Sequence, residues 1–488
     1  MKRAISGSFK YFLLAVIISF PIFGHLDDLP IRQWDESRLA ASAYEMHKNG
    51  NYLVPTFLGS PDMWSTKPPL MIWSQVMLMK IIGVNELSVR LPSAISAFLT
   101  CIALLFFSIR YLKDYWFGFI AVMVLITSNG YIHYHASRTG DYDAMLTLWT
   151  TLSCLLFLAY TEKKENRFLY LFFVTLSLGV LTKGVAGILF TPALIIYYFA
   201  RHRNLSILKN KHFWFSMSLF LFLSLGYYLV REMINPGYFA AVRENELGGR
   251  YLNVLDDHQN SALHYIGLIK NLHFAEWFIL IPCGFLVGFF SRDERLKRIT
   301  LFSGLMVICY LILISCSQTK MDWYDVPLYP FLAILVATLL YQVFLFIRDS
   351  EWFKFHMRVN ILHFIFLALV FYAPYQFVFN KTYLPAETQL DKQLYSIAYT
   401  LKDAVKGNED LNGYSIVFEG YNAHLFFYTR ILQEKGVDVD FKDAGVLAHG
   451  DKIIANQPEI IQSIRNHYFH TLLNDGEFVK MLRIDSIR

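Results

Sequence analysis

Apolar runs long enough to cross a lipid bilayer constrain this chain more than any other feature. A helix of about 17–25 apolar residues spans the hydrocarbon core. Eleven such runs are read near 8–24, 89–110, 115–130, 143–160, 167–182, 185–200, 212–230, 273–290, 299–316, 323–346 and 358–379. Inside a bilayer each backbone N–H and C=O must find a partner within its own segment, so such runs fold as helices. Composition agrees. Of 488 residues, 55% are hydrophobic and 17% charged, where an ordinary soluble domain carries about 25% charged residues. A disordered chain, a disulfide scaffold and an ordinary cytosolic enzyme are excluded. The net charge of +5 lies in short patches between apolar runs, which is not a nucleic-acid footprint. Cys101, Cys154, Cys283, Cys309 and Cys316 sit in or at the ends of apolar stretches without a CxxC pair, and read as small apolar residues.

The first run follows Met1-Lys2-Arg3, a flank that also suits a signal peptide. No A-x-A cleavage site follows, so it reads as a retained helix. The loops then alternate in charge. One set holds Arg110 and Lys113; Lys163, Lys164 and Arg167; Arg201, Arg203, Lys209 and Lys211; Arg292, Arg295, Lys297 and Arg298; and Arg348, Lys354 and Arg358. The positive-inside rule makes this set and the N-terminus cytoplasmic. Residues 25–88, 130–142, the break at 182–184, 231–272, 317–322 and everything after about 380 then face outward. Eleven crossings that start inside end outside, so parity and charge agree.

Two amphipathic stretches, near 36–48 and 69–83, mark 25–88 as an outward interfacial loop. The tail from about 384 has soluble composition. It reads as helix near 387–405, strand near 414–419 and helix near 421–435. The expected fold is therefore a polytopic α-helical membrane protein with about eleven transmembrane helices, outward interfacial helices and a small C-terminal α/β extracytoplasmic domain. The expected domains are 1–380, carrying the 25–88 loop, and 381–488. There is no internal repeat or low-complexity segment.

Charges at membrane depth or in the immediate outer loops are costly and call for a reason. Trp34-Asp35-Glu36-Ser37-Arg38 follows the first run and enters a helical pattern. Asp35 and Arg38 share a helix face while Glu36 turns away. A helix N-terminus alone also accounts for an Asp-Glu pair, but other charges gather on the same side. Lys67, in Ser65-Thr66-Lys67-Pro68-Pro69, stands where two prolines fix the backbone and start a helix. It suits an anion ligand or a snorkelling lysine. Arg138, Asp141 and Asp143 sit at the mouth of the fourth run, where either carboxylate orients a hydroxylated substrate or caps the helix. Lys183 lies in an outer break. Lys320 and Tyr324 lie at another helix mouth. Arg243, Glu244, Asn245, Arg250 and His258 add polar groups in 238–258. Cations at headgroup depth suit the phosphate of a lipid carrier, and a nearby carboxylate suits general-base help. No Walker A sequence or Gly-rich nucleotide loop is present.

Together these segments resemble the integral-membrane GT-C glycosyltransferases, in the protein O-mannosyltransferase-like group that includes the lipid A 4-amino-4-deoxy-L-arabinose transferases. The resemblance runs from about residue 30 to 345. It rests on Asp35-Glu-Ser-Arg38, Thr66-Lys-Pro-Pro69 with Trp73, Val89-Arg-Leu-Pro92, Asp143-Ala-Met-Leu-Thr147, Leu181-Thr-Lys-Gly184 and the stretch from Lys320 to Pro330. It implies a polyprenyl-phosphate sugar donor and inverting transfer outside a bacterial inner membrane, with the active site and C-terminus on the periplasmic side. Asp35 inherits the role of key acidic residue and Asp143 that of the second. Lys67, Arg38 and Tyr324 match groups that contact the carrier phosphate. The lipid A branch places a metal-ligating Glu where this chain has Thr66, so a divalent metal has no strong ligand set here. His258 matches a His of the large outer loop, and His133-x-His135 reads as an interfacial feature. The acceptor is a glycolipid such as lipid A, or a protein. The competing readings are a transporter or flippase of lipid-linked sugars and a sensor displaying the C-terminal domain. A transporter predicts charges along the path or matched breaks in two repeats, whereas these charges gather on one face. A sensor leaves the cluster without a purpose.

Overall fold

The computed structural model describes residues 2–253, 260–351, 361–383, 385 and 387–488, without the side chains of 2–8, 247 and 250. Each of the eleven apolar runs overlaps a helix, although 273–290 becomes an α-helix only at Leu280 and residues 358–360 lie outside the described residues. The helices are Lys2–Phe23, Glu86–Tyr111, Tyr115–Ile126, Asp143–Lys163, Asn166–Lys183, Thr191–His202, Lys211–Ile234, Leu280–Phe289, Glu294–Cys316, Tyr329–Asp349 and Leu362–Tyr383. Seven helical segments among the described residues are long and apolar enough to cross a membrane. Of the other four, Tyr115–Ile126, Thr191–His202 and Leu280–Phe289 have 10 to 12 residues, and Lys2–Phe23 is described with side chains only from Phe9 onward.

Local chemistry explains where these helices begin and stop. The Asp114 carboxylate accepts from the backbone N–H of Trp116 (2.6 Å) and Phe117 (3.3 Å). Asn210 accepts from His212 N–H, and Asp293 from Arg295 and Leu296. Each such oxygen satisfies donors that a helix start leaves orphaned. The run expected over 115–130 ends as a helix at Ile126, because the Thr127 and Ser128 hydroxyls turn back onto Met123 and Leu125 carbonyls. The run expected over 185–200 opens instead as the 3-10 turn Gly184–Ile188 and becomes a helix only at Thr191.

The chain forms two compact units. The first comprises Met1–Gly24, Pro61–Ser74 and Arg90–Tyr383. Lipid tails are as apolar as leucine, so helices there associate by close packing rather than by a hydrophobic drive. Gly284 and Gly288, spaced as GxxxG, provide it. A Cβ on Gly284 would fall 1.9 Å from the Leu335 carbonyl oxygen, and one on Gly288 would fall 2.3 Å from Thr300 Oγ1.

The second unit comprises His25–Ser60, Gln75–Val89 and Leu384–Arg488. Its five-stranded sheet runs in the order Val439–Phe441, Tyr414–Ile416, Lys452–Ala455, Lys480–Ile487, Tyr468–Asp475. The first three strands are parallel, and the last two form an antiparallel hairpin that also pairs antiparallel with Lys452–Ala455. Ile453, Ile460, Ile464, Leu482 and Ile484 form the core between the sheet and helix Pro458–His467. Helix Gln389–Val405 starts on a capping box between Thr388 and Asp391. Long-range bonds tie residues 25–60 and 75–89 to this region. Arg32 meets Glu387 at 2.6 Å and lies over the Tyr395 ring. The Tyr428 hydroxyl accepts from Ile31 N–H and donates to Glu86, which also meets Lys402 at 3.1 Å.

Candidate active site

Lys67 sits on a loop whose backbone is fixed from several directions. Asp62 accepts from the N–H groups of Trp64 and Ser65, a side-chain-closed turn. Arg231 donates to the Asp62 carbonyl, Asn245 to that of Met63 and the Tyr238 hydroxyl to that of Thr66. Pro68 and Pro69 then lead into helix Leu70–Ile82, whose first turn closes from Trp73 N–H to the Pro69 carbonyl at 2.7 Å. The loop thus delivers the Lys67 ammonium at a set position, 5.3 Å over the Tyr142 ring.

Asp143 opens helix Asp143–Lys163, and Lys183 closes helix Asn166–Lys183. Each charge stands at the helix end whose dipole favours it. Lys183 Nζ donates to both Asp143 oxygens, at 2.6 and 2.7 Å. The two side chains are only 9% and 3% exposed. The same ammonium lies 5.3 Å over the Tyr324 ring. Tyr324 is held by the 3-10 turn Asp322–Leu328. The neighbouring Asp325, fully buried, accepts from the Tyr329 hydroxyl (2.7 Å) and faces His273 Nδ1 (2.9 Å).

Lys67, Asp143, Lys183, Tyr324, Glu246 and Tyr251 line one cavity of about 300 Å³. Its remaining wall is largely apolar, built by Leu146, Val185, Ala186, Leu189, Leu313 and Ile314. The cavity therefore sets two ammonium groups, each with a carboxylate beside it, against a largely apolar wall.

Glu246 is the residue that sequence reasoning missed, although its neighbours in 238–258 were singled out. It accepts from the Thr66 hydroxyl at 3.2 Å and stands 3.9 Å from Lys67 Nζ. Gly184, at φ +56°, makes room for it: a Cβ there would lie 3.1 Å from Glu246 Oε2. The available signal was the absence of a carboxylate at Thr66 itself. This arrangement does not suit a metal ligand set at that position. Thr66 offers a hydroxyl that donates to Glu246, and the Lys67 ammonium stands 3.9 Å from that carboxylate.

The other expected site residues take varied places. In the first unit, Lys320 is not among the cavity-lining residues and donates to the Ser317 carbonyl at 2.6 Å. Arg138 donates to the carbonyls of Pro21, Ile22 and Gly24, at the end of helix Lys2–Phe23. Asp141 accepts from the Thr139 hydroxyl at 2.5 Å and lies 3.3 Å from His135. His135 stacks on Trp323 at 3.6 Å. Burial, with the Lys381 ammonium beside it, lowers His133 to about 3 and keeps the ring neutral near pH 7. In the second unit, Asp35 is the first residue of helix Asp35–Asn49, and Arg38 lies over the Phe57 ring. Glu36 is buried and accepts from Arg32 N–H at 2.7 Å. Arg250 lies in the short helix Gly249–Leu252, its side chain outside the description, and His258 lies outside the described residues.

Residues 66–228 match the family described as dolichyl-phosphate-mannose-protein mannosyltransferase. A protein of Aquifex aeolicus is 26% identical over 68% of this chain and 64% of its own length. The undecaprenyl phosphate-alpha-4-amino-4-deoxy-L-arabinose arabinosyl transferase of Aeromonas hydrophila is 25% identical over 64% of this chain and 56% of its own. The matches thus span 56–64% of the length of these relatives. Among solved structures, ArnT from Cupriavidus metallidurans bound to undecaprenyl phosphate superposes with a TM-score of 0.71 at 14% identity, covering 97% of both chains. The oligosaccharyltransferase of Archaeoglobus fulgidus gives a TM-score of 0.56 at 10% identity, over 94% of this chain and 72% of its own. The chain is a polytopic helical membrane protein with the GT-C glycosyltransferase fold, and among GT-C proteins it resembles the aminoarabinose transferases.

Proposed function

We propose that the protein transfers a sugar from a polyprenyl-phosphate donor to an acceptor on the periplasmic face of a bacterial inner membrane, with inversion at the anomeric carbon. The observation that carries this reading is the cavity where Lys67 and Lys183 stand beside an apolar wall. Two ammonium groups match a phosphate, and the wall matches the first isoprene units behind it. The relatives named as undecaprenyl-phosphate-dependent arabinosyl transferases support the same donor class. The acceptor is a glycolipid, lipid A among them, or a protein.

The step is a single displacement. The acceptor nucleophile forms a bond to the anomeric carbon while the bond from that carbon to the carrier phosphate oxygen breaks. The phosphate leaves with the electron pair, and Lys67 and Lys183 stabilise the charge that develops on it. Arg38 and Tyr324 keep the phosphate-contacting roles that the resemblance gives them. Asp35 takes the proton of a hydroxyl acceptor; for a phosphate acceptor it orients the nucleophile instead. Asp143, held by Lys183, fixes the direction in which that ammonium points.

The test is turnover by purified protein reconstituted with a panel of undecaprenyl-phosphate sugars and membrane extract as acceptor. Wild type should transfer sugar, and Asp35→Asn should abolish transfer while folding normally. Lys67→Ala should weaken donor use. Full activity in Asp35→Asn would sink the assignment. Carrier binding without transfer from any donor would favour a transporter or flippase of lipid-linked sugars.

A further inference from the structure

The second unit carries an aromatic stack that the transfer chemistry leaves unused. The indole of Trp34 lies 4.7 Å from the Tyr421 ring, with the planes 12° apart. Phe57 is parallel to the same Tyr421 ring within 10°, at 6.3 Å. The Arg38 guanidinium sits 4.1 Å over Phe57. Flat rings are thus aligned beside Arg38, on the helix start that also carries Asp35. Despite its partner on one side, Trp34 is 63% exposed.

Its backbone is held in a conformation that a bulky residue avoids. Trp34 has φ 69° and ψ −119°, a strained region that persists only where the surroundings enforce it. Here they do. The Trp34 carbonyl accepts from Arg38 N–H (2.9 Å), the Ser37 hydroxyl (3.0 Å) and the Tyr421 hydroxyl (3.2 Å). Gln33, one residue earlier, donates its N–H to the Tyr395 hydroxyl and its side-chain amide to the Tyr421 carbonyl. Five hydrogen bonds therefore fix a strained turn whose product is a water-facing indole next to Asp35.

We infer that this platform binds a sugar ring of the acceptor, which makes the acceptor a glycan-bearing molecule. The inference rests on the glycosyltransferase reading above. The electronegative face of an indole attracts the electropositive C–H face of a pyranose, just as it attracts cations. The ring's hydroxyls then reach the Asp35 carboxylate, which offers them an acceptor. An isoprenoid tail would instead choose an uncharged trough. The sugar belongs to the acceptor because the next residue is Asp35, the carboxylate assigned to the acceptor's nucleophile.

The test uses the full chain in lipid nanodiscs and the water-soluble glucosamine disaccharide of lipid A as probe. Undecaprenyl phosphate is titrated in parallel. Trp34→Ala should raise the Kd for the disaccharide about tenfold, and Trp34→Phe, which keeps a ring, by less than about threefold. Undecaprenyl phosphate should bind both variants as it binds wild type. Equal disaccharide binding by wild type and Trp34→Ala, or no binding by wild type, overturns the inference. Loss of both ligands in both variants also overturns it, since Trp34 would then be holding the fold. Failure of wild type to bind undecaprenyl phosphate would instead strike the transferase reading itself.

Discussion

Removing either member of the Asp143–Lys183 pair should cost more stability than removing both. Lys183 Nζ reaches both carboxylate oxygens within 2.7 Å, and neither side chain is more than 9% exposed. Asp143→Asn would leave an ammonium, and Lys183→Met a carboxylate, without its counter-charge in a site that water barely reaches. Breaking a buried pair in this way costs about 3–5 kcal/mol. The double variant removes both charges and their desolvation together, so it should cost less than either single change, with a coupling energy of at least about 3 kcal/mol. The assay is SDS-induced unfolding of the purified chain in mixed dodecyl maltoside micelles, for wild type, both single variants and the double. Carrier binding separates the second role of Lys183. Lys183→Met and the double variant should both bind undecaprenyl phosphate more weakly than Asp143→Asn, which keeps the ammonium and loses only the partner that aims it. Single effects that add within about 0.5 kcal/mol would refute the coupling, and unchanged carrier affinity in Lys183→Met would remove Lys183 from the phosphate site.

Glu246→Gln removes a negative charge 3.9 Å from Lys67 and should tighten undecaprenyl phosphate binding by about two- to fivefold; unchanged affinity would mean that this charge is not felt at the phosphate position. Gly284→Ala puts a methyl group into the Leu335 backbone and should cost about 1–3 kcal/mol in the same unfolding assay. Gly226→Ala, where a Cβ meets nothing within 4 Å, is the control and should cost nothing. In the second unit, burial, reinforced by Arg32, lowers His424 to about 4 from 6.5. Between those values the unfolded chain binds the proton first, so stability should fall by about 3 kcal/mol as pH drops from 6.5 to 4. His424→Phe should flatten that stretch of the stability–pH curve, and an unchanged slope would assign it to other groups.

The membrane helices were legible because the bilayer demands long, uniform apolar segments, and nothing subtler is needed to see them. Their ends were less legible. The helix expected to reach residue 130 stops at Ile126 because the Thr127 and Ser128 hydroxyls take over carbonyls there, a competition between side chain and backbone that composition does not weigh. The cavity was legible in part. Lys67, Asp143, Lys183 and Tyr324 stood out as charges or polar groups at helix mouths, where each needed a reason. Glu246 did not, since a glutamate in a polar outer loop needs none. Its meaning comes only from Thr66, 180 residues away, whose hydroxyl it accepts. The pairing of Arg32 with Glu387 was hidden for the same cause, being 355 residues apart. Yet Thr66 and Glu246 together make one chemical statement. Where the lipid A branch carries a carboxylate before the Lys-Pro pair, this chain carries a hydroxyl and brings a carboxylate to it from elsewhere. The negative charge is kept beside Lys67 while its backbone attachment changes, from the loop that also holds Lys67 to a separate segment. A carboxylate held that way is set against the lysine by a second backbone segment, 3.9 Å from its ammonium.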